Sequence, residues 1–167
     1  MPRAVAQAFL TASGTGPVLD VGAGTGLVAE HLARQDIGPI DGLDLSEDML
    51  GVARMKGLYR NLIAADVTAP LPSIAGEYHG VISAGTFTMG HVGPEGILPL
   101  LDVAASGAIF VISVNAAHYE TAGFAKQMQT HGPQLKGLTL RDVRIYDDRA
   151  DEALRNDVAR LMVFQKA

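Results

Sequence analysis

The stretch Val18-Leu19-Asp20-Val21-Gly22-Ala23-Gly24-Thr25-Gly26-Leu27 constrains this chain more than any other. A short apolar run meets three glycines spaced by two, and a segment with helical periodicity follows. Glycine has no Cβ, so the chain can turn sharply there and its amides can approach a ligand closely. A helix that starts just beyond such a turn leaves its first N–H groups unpaired and offers them to an acceptor. The spacing predicts a strand over Val18–Val21 and a helix over Gly26–Gln35, with Val28 and Leu32 four apart on one face. The plain alternative is a tight turn with no ligand. Three glycines after a strand that carries an acid weigh against it.

The same strand-then-helix unit recurs. Apolar runs start near residues 18, 40, 62, 81 and 108, in Val18–Val21, Ile40–Leu43, Leu62–Ala65, Val81–Ala84 and Ala108–Val114. Runs of that kind suit parallel strands covered on both faces. Ser46 is a good N-cap, with Glu47 and Asp48 in the first turn behind it and Met49, Leu50 and Ala53 as the apolar stripe. Pro99 fits the first turn of a short helix ending near Ala105 and would kink one begun at Pro94. A helix is expected over Ala116–His131, closed by Gly132-Pro133. After Gly137 the pattern turns to partial alternation. Leu138–Tyr146 and Val158–Lys166 read as two strands, joined by the polar segment Asp147–Asp157 with room for one helical turn. The expected fold is α/β: a doubly wound, mostly parallel, seven-stranded Rossmann-like sheet with an antiparallel C-terminal hairpin at its edge. One domain over 1–167 accounts for the length, with a very short N-terminal cap over 1–16 in which Ala4–Ala12 can form one helix.

Composition removes several functions. There is no Cys, so a disulfide framework, a thiolate zinc site and a cysteine nucleophile are all excluded. No His and carboxylate pair stands at metal-ligand spacing with a third ligand nearby, so no metal is expected. The net charge of −5 argues against a nucleic-acid partner. No apolar run approaches the roughly 20 residues of a membrane span, and the start lacks a signal peptide's apolar core. A cytoplasmic protein is the default expectation, and the oligomeric state is open.

Two further acids narrow the ligand. Asp44 ends the second strand and Asp66 follows the third. With Asp20 they lie at the ends of three successive strands, which in a parallel sheet share the edge where such folds bind ligands. A carboxylate at the place of Asp44 can accept from both hydroxyls of a ribose. One at Asp66 can accept from an adenine amino group. Gly24, Gly26 and Ala29 also fit the dinucleotide pattern G-x-G-x-x-G/A, which keeps an NAD(P)-binding oxidoreductase in view. Asp20, however, stands two residues before the first glycine, where it would repel a pyrophosphate and attract a cation. An amino acid joined to adenosine has a cation at one end, a ribose in the middle and adenine at the other.

These residues carry a resemblance. Asp20–Gly26 resembles the first motif of class I S-adenosylmethionine-dependent methyltransferases, Asp44–Leu50 resembles their second-strand segment, and Ala65-Asp66-Val67 their adenine-side segment. Gly85-Thr86-Phe87-Thr88-Met89-Gly90-His91-Val92-Gly93-Pro94, Ser113-Val114-Asn115 and Leu58-Tyr59 are similar to the methyltransferase-like proteins named after the Williams–Beuren syndrome region. The resemblance implies S-adenosyl-L-methionine as cofactor. It implies that Asp20 and the amides around Gly22, Ala23 and Gly24 hold the methionine part and that Asp44 binds the ribose. Leu45 and Val67 would pack on the adenine faces with Asp66 at its edge, and Met49 would join this cofactor wall. Ser83 to Thr86 would border the methionine and the acceptor. His79, where relatives often carry Asp, and Ala105-Ser106-Gly107, in place of Pro-Gly-Gly, are read as changes in turn structure.

Methyl transfer is an in-line displacement in which the cofactor carries the leaving group, so positioning dominates and no universal catalytic side chain is expected. A base matters only where the acceptor must lose a proton. His91 is the first candidate by location, followed by Tyr119 and His118. The plain reading of each histidine is a loop or helix-end residue bonded to backbone. The expected activity is methyl transfer to a small-molecule acceptor. The alternatives are the oxidoreductase above and a non-catalytic cofactor-binding or partner protein, which the short start motivates.

Overall fold

The computed structural model describes residues 1–71, 78–145 and 158–167. Seven strands form one sheet: β1 (Val18–Val21), β2 (Ile40–Asp44), β3 (Asn61–Ala64), β4 (Tyr78–Phe87), β5 (Ala104–Asn115), β6 (Leu135–Arg144) and β7 (Val158–Lys166). Their order is β3-β2-β1-β4-β5-β7-β6. The first five run parallel, and β7 is antiparallel to both β5 and β6. This is the expected mixed sheet with its hairpin at the edge. The segment Asp147–Asp157, with its expected helical turn, lies outside the described residues.

Six α-helices flank the sheet: α1 (Pro2–Thr11), α2 (Leu27–Ala33), α3 (Glu47–Met55), α4 (Ile97–Val103), α5 (Ala116–Thr121) and α6 (Phe124–Thr130). Strand alternation divides the core into two layers. Val18, Ile82 and Val111 face Val5, Phe9, Val28 and Leu32 of α1 and α2. Leu19, Val21, Phe110 and Ile112 face Ile97, Leu100, Phe124 and Met128 of α4 and α6. The N-terminal cap thus forms a helix whose Val5 and Phe9 are fully buried. Ser46 caps α3 as expected, its hydroxyl accepting from the Met49 N–H. A single 3₁₀ turn over Pro94–Gly96 precedes α4, and Pro99 sits in the first turn of α4.

Several boundaries differ from expectation. The helix foreseen over Ala116–His131 is two helices, because Gly123 takes φ +88°, a left-handed conformation that ends α5 and starts α6 in a new direction. No helix occurs among the described residues between β3 and β4. β3 itself is a short edge strand whose four residues are all exposed or half-buried, unlike the covered strands the sequence suggested. His79 and Ala105-Ser106-Gly107, read as turns, are strand residues of β4 and β5. The His79 N–H donates to the Pro17 carbonyl.

A buried polar cluster ties three strands together far from the strand ends that carry the site. The Asp41 carboxylate, 1% exposed, accepts from Arg60 Nε and Nη2, from the Tyr78 hydroxyl at 2.7 Å and from the backbone N–H of Asn61 at 3.0 Å. Burial alone would raise its pKa, but these donors hold it below the usual carboxylate range.

Candidate functional site

The parallel strands end along one edge, and the chain there builds a cleft of about 700 Å³. Its floor is the glycine loop. Val21 is the last residue of β1, and its carbonyl accepts from the hydroxyls of Ser83 (2.8 Å) and Thr86 (3.1 Å) at the end of β4. Thr86 therefore stands against Gly22, where a Cβ would collide with its hydroxyl and where φ is +66°. Only glycine meets both conditions. The N–H groups of Gly22 and Ala23 donate to the Leu43 carbonyl at 2.7 and 3.0 Å, so the turn is fastened to β2.

Asp44 at the end of β2 joins two parts of the cleft wall. Its Oδ2 accepts from the Gly24 N–H at 2.7 Å and its Oδ1 from the Ser46 N–H at 2.9 Å. Each carboxylate oxygen retains a further lone pair, since a carboxylate offers about four acceptor sites. Beyond the end of the neighbouring β3, Asp66 Oδ1 accepts from the Thr68 N–H (2.8 Å) and hydroxyl (2.7 Å). Those bonds hold its pKa below the usual range. Leu45 and Val67 both line the cleft, Leu45 74% exposed and Val67 buried. His91 and Val92 close the end nearest β4.

Seven of the ten cofactor-site residues expected from sequence line this cleft: Gly22, Gly24, Asp44, Leu45, Met49, Asp66 and Val67. The other three do not. Ser83 is fully buried, with its hydroxyl committed to Val21, and Ala23 is turned into the core. Asp20 is also fully buried. Its Oδ2 accepts from the Tyr59 hydroxyl at 2.7 Å, and its Oδ1 has no hydrogen-bond partner among the described residues. Burial pushes the Asp20 carboxyl up to about 7, against the opposing bond from Tyr59, and nearby Asp44 adds to the rise.

The candidate bases separate. His91 lines the cleft. Tyr119 does not: it is 5% exposed, stacks on Phe124 at 5.6 Å between ring centroids, and lies under the Arg160 guanidinium at 5.0 Å. The break at Gly123 brings α6 back onto α5, and Phe124 of α6 covers the Tyr119 ring. His118 Nε2 lies 3.0 Å from the Val92 carbonyl and braces the loop that carries His91. Tyr59 is the residue whose part the sequence did not reveal. Its ring fits under the loop, 3.0 Å from where a Cβ on Gly26 would stand. Nothing in the spacing announces a contact across 39 positions.

No helix among the described residues is long and apolar enough to cross a membrane. A family profile described as a methyltransferase domain matches residues 18–107, more than half of the chain. The human "Methyltransferase-like protein 27" is 35% identical over 97 residues, which is 58% of this chain and 39% of that protein. The chain thus aligns with well under half of that relative's length. A solved Thermoplasma acidophilum protein superposes with a TM-score of 0.71 at 17% identity, over 98% of this chain and 86% of its own. The magnesium protoporphyrin IX methyltransferase of Synechocystis, solved with bound SAM, gives 0.68 at 18% identity, over 99% and 78%. At these identities the structural likeness speaks for the fold.

Proposed function

Because this chain belongs to the methyltransferase domain family, we propose that its cleft binds S-adenosylmethionine and directs methyl transfer to a small-molecule acceptor. The observation that carries this reading is the order of groups along one edge of the sheet. The glycine loop, the Asp44 carboxylate and the Asp66–Val67 pair follow one another at the ends of β1, β2 and β3. That sequence of a close-approach backbone, a two-hydroxyl acceptor and an apolar face with an acid at its edge matches an amino acid, a ribose and an adenine. The cleft volume also falls within the usual range of roughly 300–1,000 Å³ for small-molecule sites.

The group that would bind supplies an activated methyl on a sulfonium. The chain's own residues do the rest. Asp44, held in place by Gly24 and Ser46, presents its remaining lone pairs to hydroxyls. Val67 and Leu45 supply apolar surface for a flat ring, and Met49 extends that surface. Gly22 keeps the floor open, and Thr86 holds it in place. His91 is the titratable side chain at the end of the cleft that the acceptor would enter. It is positioned to take a proton where the acceptor carries one. The net charge of −5 supports a small acceptor over a nucleic acid. Catalysis of this kind rests mainly on orientation.

Calorimetric titration with S-adenosylhomocysteine tests the reading. Micromolar or tighter binding is expected, and Asp44→Ala should weaken it by roughly tenfold or more, the loss of one or two charge-assisted hydrogen bonds. Binding of NADH with none of S-adenosylhomocysteine would overturn it.

A further inference from the structure

Beneath the glycine loop Asp20, which the family resemblance assigns to the methionine part of the cofactor, is paired with Tyr59, to which it assigns no role. Tyr59, in the segment between α3 and β3, donates its hydroxyl to Asp20 Oδ2 at 2.7 Å. Asp20 is wholly enclosed and its Oδ1 is unpartnered. A buried acid with one oxygen unsatisfied is a poor structural brace, because an apolar side chain would avoid the desolvation. Among the described residues, no cation acts on Asp20. The groups acting on Asp20 are Tyr59 and Asp44, the second of them another acid. At one remove, Glu30 of α2 acts on Tyr59 but is itself paired with Lys56 and Arg34. A carboxyl group in this state is neutralised either by a proton or by an arriving cation. Asp20 stands two residues before Gly22, a residue of the cleft floor.

We propose that Tyr59 is a positioning residue that holds Asp20 beneath the loop as the anion answering the ammonium of the ligand's amino-acid end, a role that rests on the cofactor reading above. The Tyr59 hydroxyl favours the charged carboxylate, since it can donate to it. A ligand ammonium favours the same form. Ammonium and proton therefore compete for one carboxyl group. Below the pH at which Asp20 ionises, an ammonium-bearing ligand binds only as the carboxyl proton departs to solvent. A ligand with the same nucleoside and sulfur but no amino-acid end has no such linkage.

The test compares S-adenosylhomocysteine with 5′-methylthioadenosine by calorimetry from about pH 6 to about pH 8.5, in buffers of different ionisation heat. For the natural chain, affinity for the first should climb roughly tenfold per pH unit below about 7, with close to one proton released near pH 6. Affinity for the second should stay flat. Tyr59→Phe keeps the ring and removes the donor. It should lower affinity for S-adenosylhomocysteine roughly tenfold near pH 7, with the loss shrinking toward pH 8.5, and leave 5′-methylthioadenosine unchanged. A pH-independent affinity for S-adenosylhomocysteine, or equal weakening of both ligands, overturns the proposal. Should Tyr59→Phe not fold, Asp20→Asn decides: it must abolish the pH dependence and weaken only the ligand that carries the ammonium. A natural chain that binds neither ligand refutes the cofactor reading itself, whereas one that binds both with no selective effect of Tyr59 refutes this inference alone.

Discussion

Replacing Asp20 by Asn should make the protein more stable above neutral pH. The acid is sealed under the glycine loop, and its carboxyl is raised from 3.8 to about 7, chiefly by burial. Between those two values the folded chain holds a proton that the unfolded chain has released. Stability therefore falls as pH rises through this window and levels off above about 7. A shift of about three units corresponds to about 4 kcal/mol of stability missing at pH 8. Near pH 5 the missing part is only about 1.5 kcal/mol by the same relation. Asn carries no charge and escapes this loss. Its carbonyl oxygen still accepts from Tyr59, but its amide takes the place of the unpartnered Oδ1, at about 1–3 kcal/mol. The variant should then exceed the natural chain by about 1–3 kcal/mol at pH 8 and roughly equal it at pH 5. The change in the gap between the two conditions, about 2–3 kcal/mol, does not depend on what the amide costs. Urea unfolding at both pH values reads it from midpoints at matched slopes. A gap that is the same at pH 5 and pH 8 would refute the argument, since Asp20 would then ionise alike in both states.

Other substitutions test neighbouring parts. Gly22→Ala should cost roughly 2–4 kcal/mol, from a left-handed residue and a collision with Thr86, and should abolish S-adenosylhomocysteine binding. Adding Thr86→Ala should return part of the stability in the same urea assay. Asp41→Ala should cost about 3 kcal/mol by leaving the buried Tyr78 hydroxyl and the Asn61 N–H without an acceptor. Because the Asp41 pKa is lowered in the folded chain, its contribution is complete above about pH 4 and fades as pH drops through the lower folded value. The difference between this variant and the natural chain should therefore narrow in acid, and a constant difference would count against the assigned bonds.

Much of the architecture was legible because its signals are local. A continuous apolar strand, a glycine-rich turn and a Ser46 cap each follow from neighbours in sequence, and so the sheet, its edge hairpin and the placement of Asp44 and Asp66 at strand ends could be read. What escaped depends on direction. The expected site residues Ser83 and Asp20 lie at the right height along their strands and Ala23 just beyond one, yet all three are buried, which position in the sequence alone does not reveal. Tyr119 is covered by Phe124 of α6, which follows a break at Gly123 within a segment that looked like one helix. β3 is as apolar as its neighbours but, among the described residues, has no strand on its outer side. The contact of Tyr59 with Asp20 exists only once β1 and the segment before β3 are folded together.

The two backbone bonds accepted by Asp44 have a consequence for how this cleft can change. The carboxylate that faces the cleft is the same one that fixes the loop to the start of α3, so affinity and loop order cannot be tuned independently through it. A substitution there alters the shape of the container as well as its contents. Freedom to accept a different guest is left to side chains that hold nothing else in place, such as Leu45 and Met49, both substantially exposed. The rim can be rewritten while the wall stays fixed.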